Sequence, residues 1–147
     1  MTGSETARPV IVAGVDGSED SKEALRWAAR HARLTGAEVH AVTAWHVPVT
    51  IMMVPSYTEA DYQRDAAEIL NKTVLDALGP DPGVPVVTRL IQDRPAVALT
   101  GEAQNAELLV VGGHGRGELP GMHLGSVASY CIHHAPCPVT VVCQARR

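Results

Sequence analysis

The feature that most constrains this chain is a set of short apolar runs that show no polar face. Residues 10–15 read VIVAGV and stop at Asp16-Gly17-Ser18. A strand with one wet face alternates polar and apolar positions, so a run without polar members needs cover on both sides. Residues 84–91 (VPVVTRLI), 108–111 (LLVV) and 139–143 (VTVVC) repeat the pattern, and residues 38–47 (EVHAVTAWHV), rich in Val, Thr and Trp and stopped by Pro48, read as a further strand.

Helical periodicity fills the gaps between these runs. From Ser18 or Glu19 to Gly36, Leu25, Ala28, Ala29 and Ala32 fall on one face. Residues 58–78 place Ala66, Leu70, Val74 and Leu78 every four residues and end at Gly79-Pro80. Residues 95–106 put Ala96, Leu99, Thr100 and Ala103 together, and a helix opening at Gly125-Ser126 aligns Val127, Tyr130, Cys131 and His134. Residues 48–57 are apolar but broken by two prolines, the pattern of a loop or lid. Alternating strands and helices of this kind predict an open parallel α/β sheet, Rossmann-like, with helices on both faces. Ligands of such sheets lie beyond the carboxyl ends of the strands, which directs attention to the segments after the first and fourth strands.

Composition narrows the function. The 147 residues give one domain, read as 9–147 after a flexible 1–8, with 46% hydrophobic residues and no apolar run of membrane-spanning length. With no leader pattern in the first residues, the expectation is a cytoplasmic protein. A net charge of -4 and dispersed acidic residues argue against nucleic acid as a partner. Cys131, Cys137 and Cys143 are odd in number and lack any Cys-x-x-Cys pair, so neither a disulfide framework nor a zinc site is expected and they read as reduced, mostly packed thiols.

The segment after the fourth strand carries the chemistry. It reads Gly112-Gly113-His114-Gly115, then nine residues beginning with Arg116, then Gly125-Ser126 at a helix start. Glycines there permit positive φ and let backbone N–H groups converge on an anion, and the helix N-terminus adds its dipole. Ser126 caps the helix or gives its hydroxyl to a phosphate oxygen, and Arg116 is placed for a charge-assisted contact. No Gly-Lys-Ser/Thr follows, and Gly113 to Glu118 lacks the last glycine of a dinucleotide fingerprint, so neither standard phosphate motif applies. The competing reading is a plain surface loop. His114, with no second ligand near it in sequence, reads as a loop donor rather than a metal ligand, and His133-His134 read as caps of a helix C-terminus. No nucleophile with a paired base is evident, which weighs against a dedicated hydrolase.

The spacing Gly112-x-x-Gly115-(nine residues)-Gly125-Ser126, the opening VDGSEDSKEAL and the closing HHAPCPVTVV resemble the universal stress protein family, in its ATP-binding branch. The resemblance runs from about residue 9 to 142. It implies strand order 3-2-1-4-5, ATP at the ends of strands one and four, and a homodimer through the C-terminal strand. It further implies that Gly112, Gly115, Gly125 and Ser126 wrap the triphosphate, while Gly113, His114 and Arg116 occupy variable positions of the loop. Gly14 and Val15 then line the approach, Asp16 contacts ribose or a metal such as Mg²⁺, Ala44 with neighbouring Trp45 meets adenine, and Val127 follows the Gly-Ser pair. Asp93 departs from the pattern, since relatives often carry glycine there. The function implied is a nucleotide-dependent regulator of stress response or growth arrest, acting on an unidentified protein partner. Two alternatives stand beside it: a slow Mg²⁺-dependent nucleotide hydrolase or phosphoryl-transfer enzyme, and an interaction module without nucleotide.

Overall fold

The computed structural model describes residues 7–48, 56–115 and 123–144. Five strands, β1 (Val10–Gly14), β2 (Glu38–Trp45), β3 (Val86–Gln92), β4 (Leu108–Gly112) and β5 (Val139–Val142), form one sheet of order β3-β2-β1-β4-β5. Every pairing is parallel. The order reverses between β1 and β4, so their carboxyl ends open a crevice.

Four helices cover the sheet: α1 (Glu19–Thr35), α2 (Glu59–Leu78), α3 (Pro95–Glu102) and α4 (Ser126–His134). On one face Leu25, Ala28 and Ala32 of α1 and Leu70 of α2 pack on Ile11, Ala13, Val39, Ala41 and Val110. On the other, Leu99 of α3 with Ala128 and Cys131 of α4 meet Val12, Val42, Leu109 and Val111. The two apolar layers explain why β1 and β4 carry no polar position: both of their faces are covered.

Helix ends follow the expected chemistry. Ser18 caps α1 by accepting from the Ser21 N–H, and Gly36 closes it with φ 76°. Thr58 and Asp61 form a reciprocal capping box on α2. The Asp61 carboxyl lies below its ordinary pKa, first because the Thr58 backbone N–H donates to it.

Four expectations need correction. β3 takes the edge that the order 3-2-1-4-5 implies, but its residues are half-buried or exposed rather than covered on both faces, since its outer edge is unpaired among the described residues. α3 stops at Glu102 and passes into a 3₁₀ turn, Ala103–Asn105, instead of running to 106. α4 buries Cys131 as expected but also Ala128, whereas Tyr130 is exposed with its ring tilted against His134 at a centroid distance of 4.3 Å. Among the thiols, Cys131 is buried, Cys137 half-buried and Cys143 exposed. The lid proposed for 48–57 falls largely outside the described residues. No helix among the described residues is long and apolar enough to cross a membrane.

Candidate functional site

The carboxyl ends of β1, β2 and β4 surround a pocket of about 190 Å³. Its lining mixes apolar side chains, among them Val42, Ala66, Ile69, Pro95 and Leu99, with polar Asp16, Ser18 and Ser21 and the backbone of glycines 112, 113, 115 and 125. Such a mixture suits a ligand that carries both an apolar ring and anionic groups.

Of the residues named from sequence, Gly14, Val15, Asp16, Ala44, Gly112, Gly113, His114, Gly115, Gly125 and Val127 all line this pocket. Ser126 does not. It is the first helical residue of α4, exposed, and Gly125 takes the N-cap position with no side-chain cap bond, so the capping role expected of Ser126 is not realised. Arg116 lies outside the described residues. Trp45 is buried but absent from the lining: Ala44 shares the face of Val42, and the next residue of a strand turns to the opposite face.

The local geometry explains several of these placements. Asp16 Oδ1 accepts from Ser18 N at 2.9 Å and from Ser18 Oγ at 2.6 Å, with Gly17 at φ 87° completing the turn. Asp16 is therefore a turn former as well as a pocket residue. Thr43 Oγ donates to the Val15 carbonyl at 2.8 Å and ties β2 to the end of β1. Gly125 N–H donates to the Gly113 carbonyl at 2.7 Å, which brings the start of α4 to the end of β4. Asp93 needs no glycine conformation, since no non-glycine among the described residues has positive φ.

The glycines act differently from expectation. Gly112 does not adopt positive φ; it is required because a Cβ there would come within 2.8–3.0 Å of Asp20 and the Ser21 nitrogen at the start of α1. A Cβ on Gly14 would lie 2.9 Å from Leu99 Cδ1. These two positions let helices approach strands closely beside the pocket.

Sequence reasoning missed Asp20. It is 7% exposed, and its Oδ2 accepts from the backbone N–H of His114 at 3.1 Å and faces His114 Nδ1 at the same distance. Its Oδ1 accepts from Gln144 N at 3.0 Å. An acidic residue in the first turn of a helix looks like a simple response to the dipole, and nothing local signals partners 94 and 124 residues away. His133 does not cap the last carbonyls of α4 as expected: its Nδ1 donates to the Ser129 carbonyl at 2.8 Å, one turn back inside the helix.

An open parallel sheet with a glycine-lined pocket at its switch point defines a doubly wound α/β protein. Residues 8–142 match the Universal stress protein family, and the chain belongs to that family. A universal stress protein of Mycobacterium tuberculosis is 39% identical over 137 residues, covering 93% of this chain and 46% of that protein. One from Mycolicibacterium smegmatis is 36% identical over 141 residues, covering 90% and 47%. The chain thus spans about half the length of the curated relatives it matches. Among solved structures, a universal stress protein in complex with cAMP has a TM-score of 0.70 at 26% identity, covering 93% of this chain and 98% of that one. One from Archaeoglobus fulgidus in complex with dAMP has a TM-score of 0.67 at 26% identity, covering 92% and 98%.

Proposed function

We propose that this chain is an ATP-binding member of its family, a nucleotide-dependent regulator in which the bound nucleotide favours a conformation or dimer that a protein partner recognises. The observation that carries the reading is a pocket lined both by apolar Val42, Ala66, Ile69 and Leu99 and by the glycines at the end of β4, next to the start of α4. The first suits adenine and the second suits phosphate oxygens. The cAMP and dAMP complexes of two relatives support an adenine nucleotide in this crevice.

Mg²⁺ fits the same arrangement in a limited way. It commonly takes one or two carboxylates with phosphate oxygens and water. Asp16 is the carboxylate at the pocket and would hold such an ion against a triphosphate.

The test is mass spectrometry of nucleotide released from the purified protein, followed by competition titration with ATP, AMP, cAMP, GTP and tripolyphosphate. ATP should bind most tightly, with GTP weaker by about 1–3 kcal/mol through unmade hydrogen bonds to the base. Equal binding of ATP, GTP and tripolyphosphate would reduce the pocket to a phosphate site. Tighter binding of AMP or cAMP would replace ATP as the ligand.

A further inference from the structure

Beside the pocket rim, three chain segments deliver three different donor atoms to one place. Asp20 comes from the first turn of α1, His114 from the turn after β4, and Cys143 from the residue after β5. One carboxylate oxygen, one ring nitrogen and the Cys143 sulfur all lie within 4.8 Å of one another.

The surroundings hold these donors as a metal site does. His114 Nε2 lies 3.0 Å from the His123 carbonyl oxygen. A carbonyl only accepts, so Nε2 carries the hydrogen and Nδ1 is turned toward Asp20 and Cys143. Histidine ligands characteristically donate their other ring N–H to a carbonyl in this manner. The Gln144 N–H fixes the second oxygen of Asp20, and the carboxylate itself is nearly buried. Gly113 makes room for the sulfur, since a Cβ there would collide with Cys143 Sγ. That collision gives Gly113 a physical role outside phosphate binding.

We propose that Asp20, His114 and Cys143 form a site for a d-block cation of borderline softness, Zn²⁺ foremost, which clasps the turn after β4 to the end of β5. The mixed oxygen, nitrogen and sulfur set matches Zn²⁺ better than Mg²⁺ or Ca²⁺, which favour oxygen alone. Tetrahedral Zn²⁺ separates its ligand atoms by about 3.3–3.6 Å, given its bond lengths of about 2.0–2.3 Å. Rotation of the exposed Cys143 side chain supplies the closure required. On binding, neutral His114 through Nδ1 and the Asp20 carboxylate give lone pairs to the cation, and the Cys143 thiol releases its proton to solvent. Thiolate and carboxylate together balance the charge of the ion.

The probe is Co²⁺, titrated into the reduced, nucleotide-free full chain, so that the result does not depend on the nucleotide reading. One equivalent per chain should develop thiolate-to-cobalt charge-transfer absorption, displaced by one equivalent of Zn²⁺. Cys143→Ser should abolish that absorption, Cys137→Ser should retain it, and His114→Gln should weaken binding at least tenfold. Zn²⁺ should also slow alkylation of Cys143 at least tenfold, as read by peptide mass mapping. Absence of thiolate absorption in the parent chain overturns the proposal. So does its persistence in Cys143→Ser, whose exposed side chain can be lost without disturbing the core.

Discussion

At the scale of single residues, two glycines of one loop carry opposite expectations. Gly112 faces the backbone of α1, so Gly112→Ala should overpack the joint between α1 and β4 and destabilise the protein by about 1–3 kcal/mol in urea unfolding. Gly115→Val instead blocks backbone approach at the pocket rim, and should lower ATP affinity more than tenfold in calorimetric titration while the unfolding midpoint stays near that of the parent. The sequence shows both simply as glycines after a strand. It discloses the loop but not which glycine serves packing, because that depends on Asp20 and Ser21, far away in the chain. The cysteines separate in the same way. Burial pushes the Cys131 thiol up to about 11, so at pH 8 about a thousandth of it is thiolate, whereas Cys143 is exposed. Iodoacetamide at pH 8 should therefore label Cys143 in the folded protein and leave Cys131 unmodified until denaturant is added. Labelling of both at equal rates would mean that α4 opens readily.

Elements were legible in proportion to how local their causes are. The apolar stripe and both ends of α1 follow from residues inside it: Ser18 accepts from Ser21 N, and Gly36 supplies the left-handed cap. Ser18→Ala should cost about 0.5–2 kcal/mol in thermal or urea unfolding. It should also loosen Asp16, whose carboxylate holds both Ser18 N and Ser18 Oγ, so nucleotide affinity should fall with stability. Loss of stability with unchanged affinity would remove Asp16 from the nucleotide site. The exposure of β3 has the converse cause. Residues 84–91 (VPVVTRLI) describe a strand but not its neighbours, and its place at the edge follows from the sheet order that the family resemblance implies. On α4 the periodic pattern places Cys131 and Val127 inward correctly but passes over Ala128, which is small and buried. Tyr130 dominates the pattern, yet it lies outside, against His134.

On the scale of the whole molecule, the unpaired edge of β5 bears on assembly. The carboxyl ends of β1 and β4 place the pocket, and β5 flanks β4 with its other edge unpaired among the described residues. An open strand edge at the margin of a sheet invites pairing, and two copies joined through β5 across a two-fold axis would satisfy it. The register identifies which residues take part. Pro138 O accepts from Leu109 N and Val142 O from Gly113 N, so residues 138, 140 and 142 face β4. Alternation then turns the N–H groups of Val139 and Val141 outward. Tyr130 and Ile132 on α4, the helix that precedes β5, add exposed apolar surface. Val141→Pro should therefore remove an outward donor and convert a dimer to a monomer in sedimentation velocity, with the circular dichroism of the parent. Thr140→Pro should instead break the ladder to β4 and lower the unfolding midpoint. Ile132→Glu, outside the ladder, should weaken the dimer without touching the sheet. A dimer mass unchanged in both Val141→Pro and Ile132→Glu would place the interface away from β5.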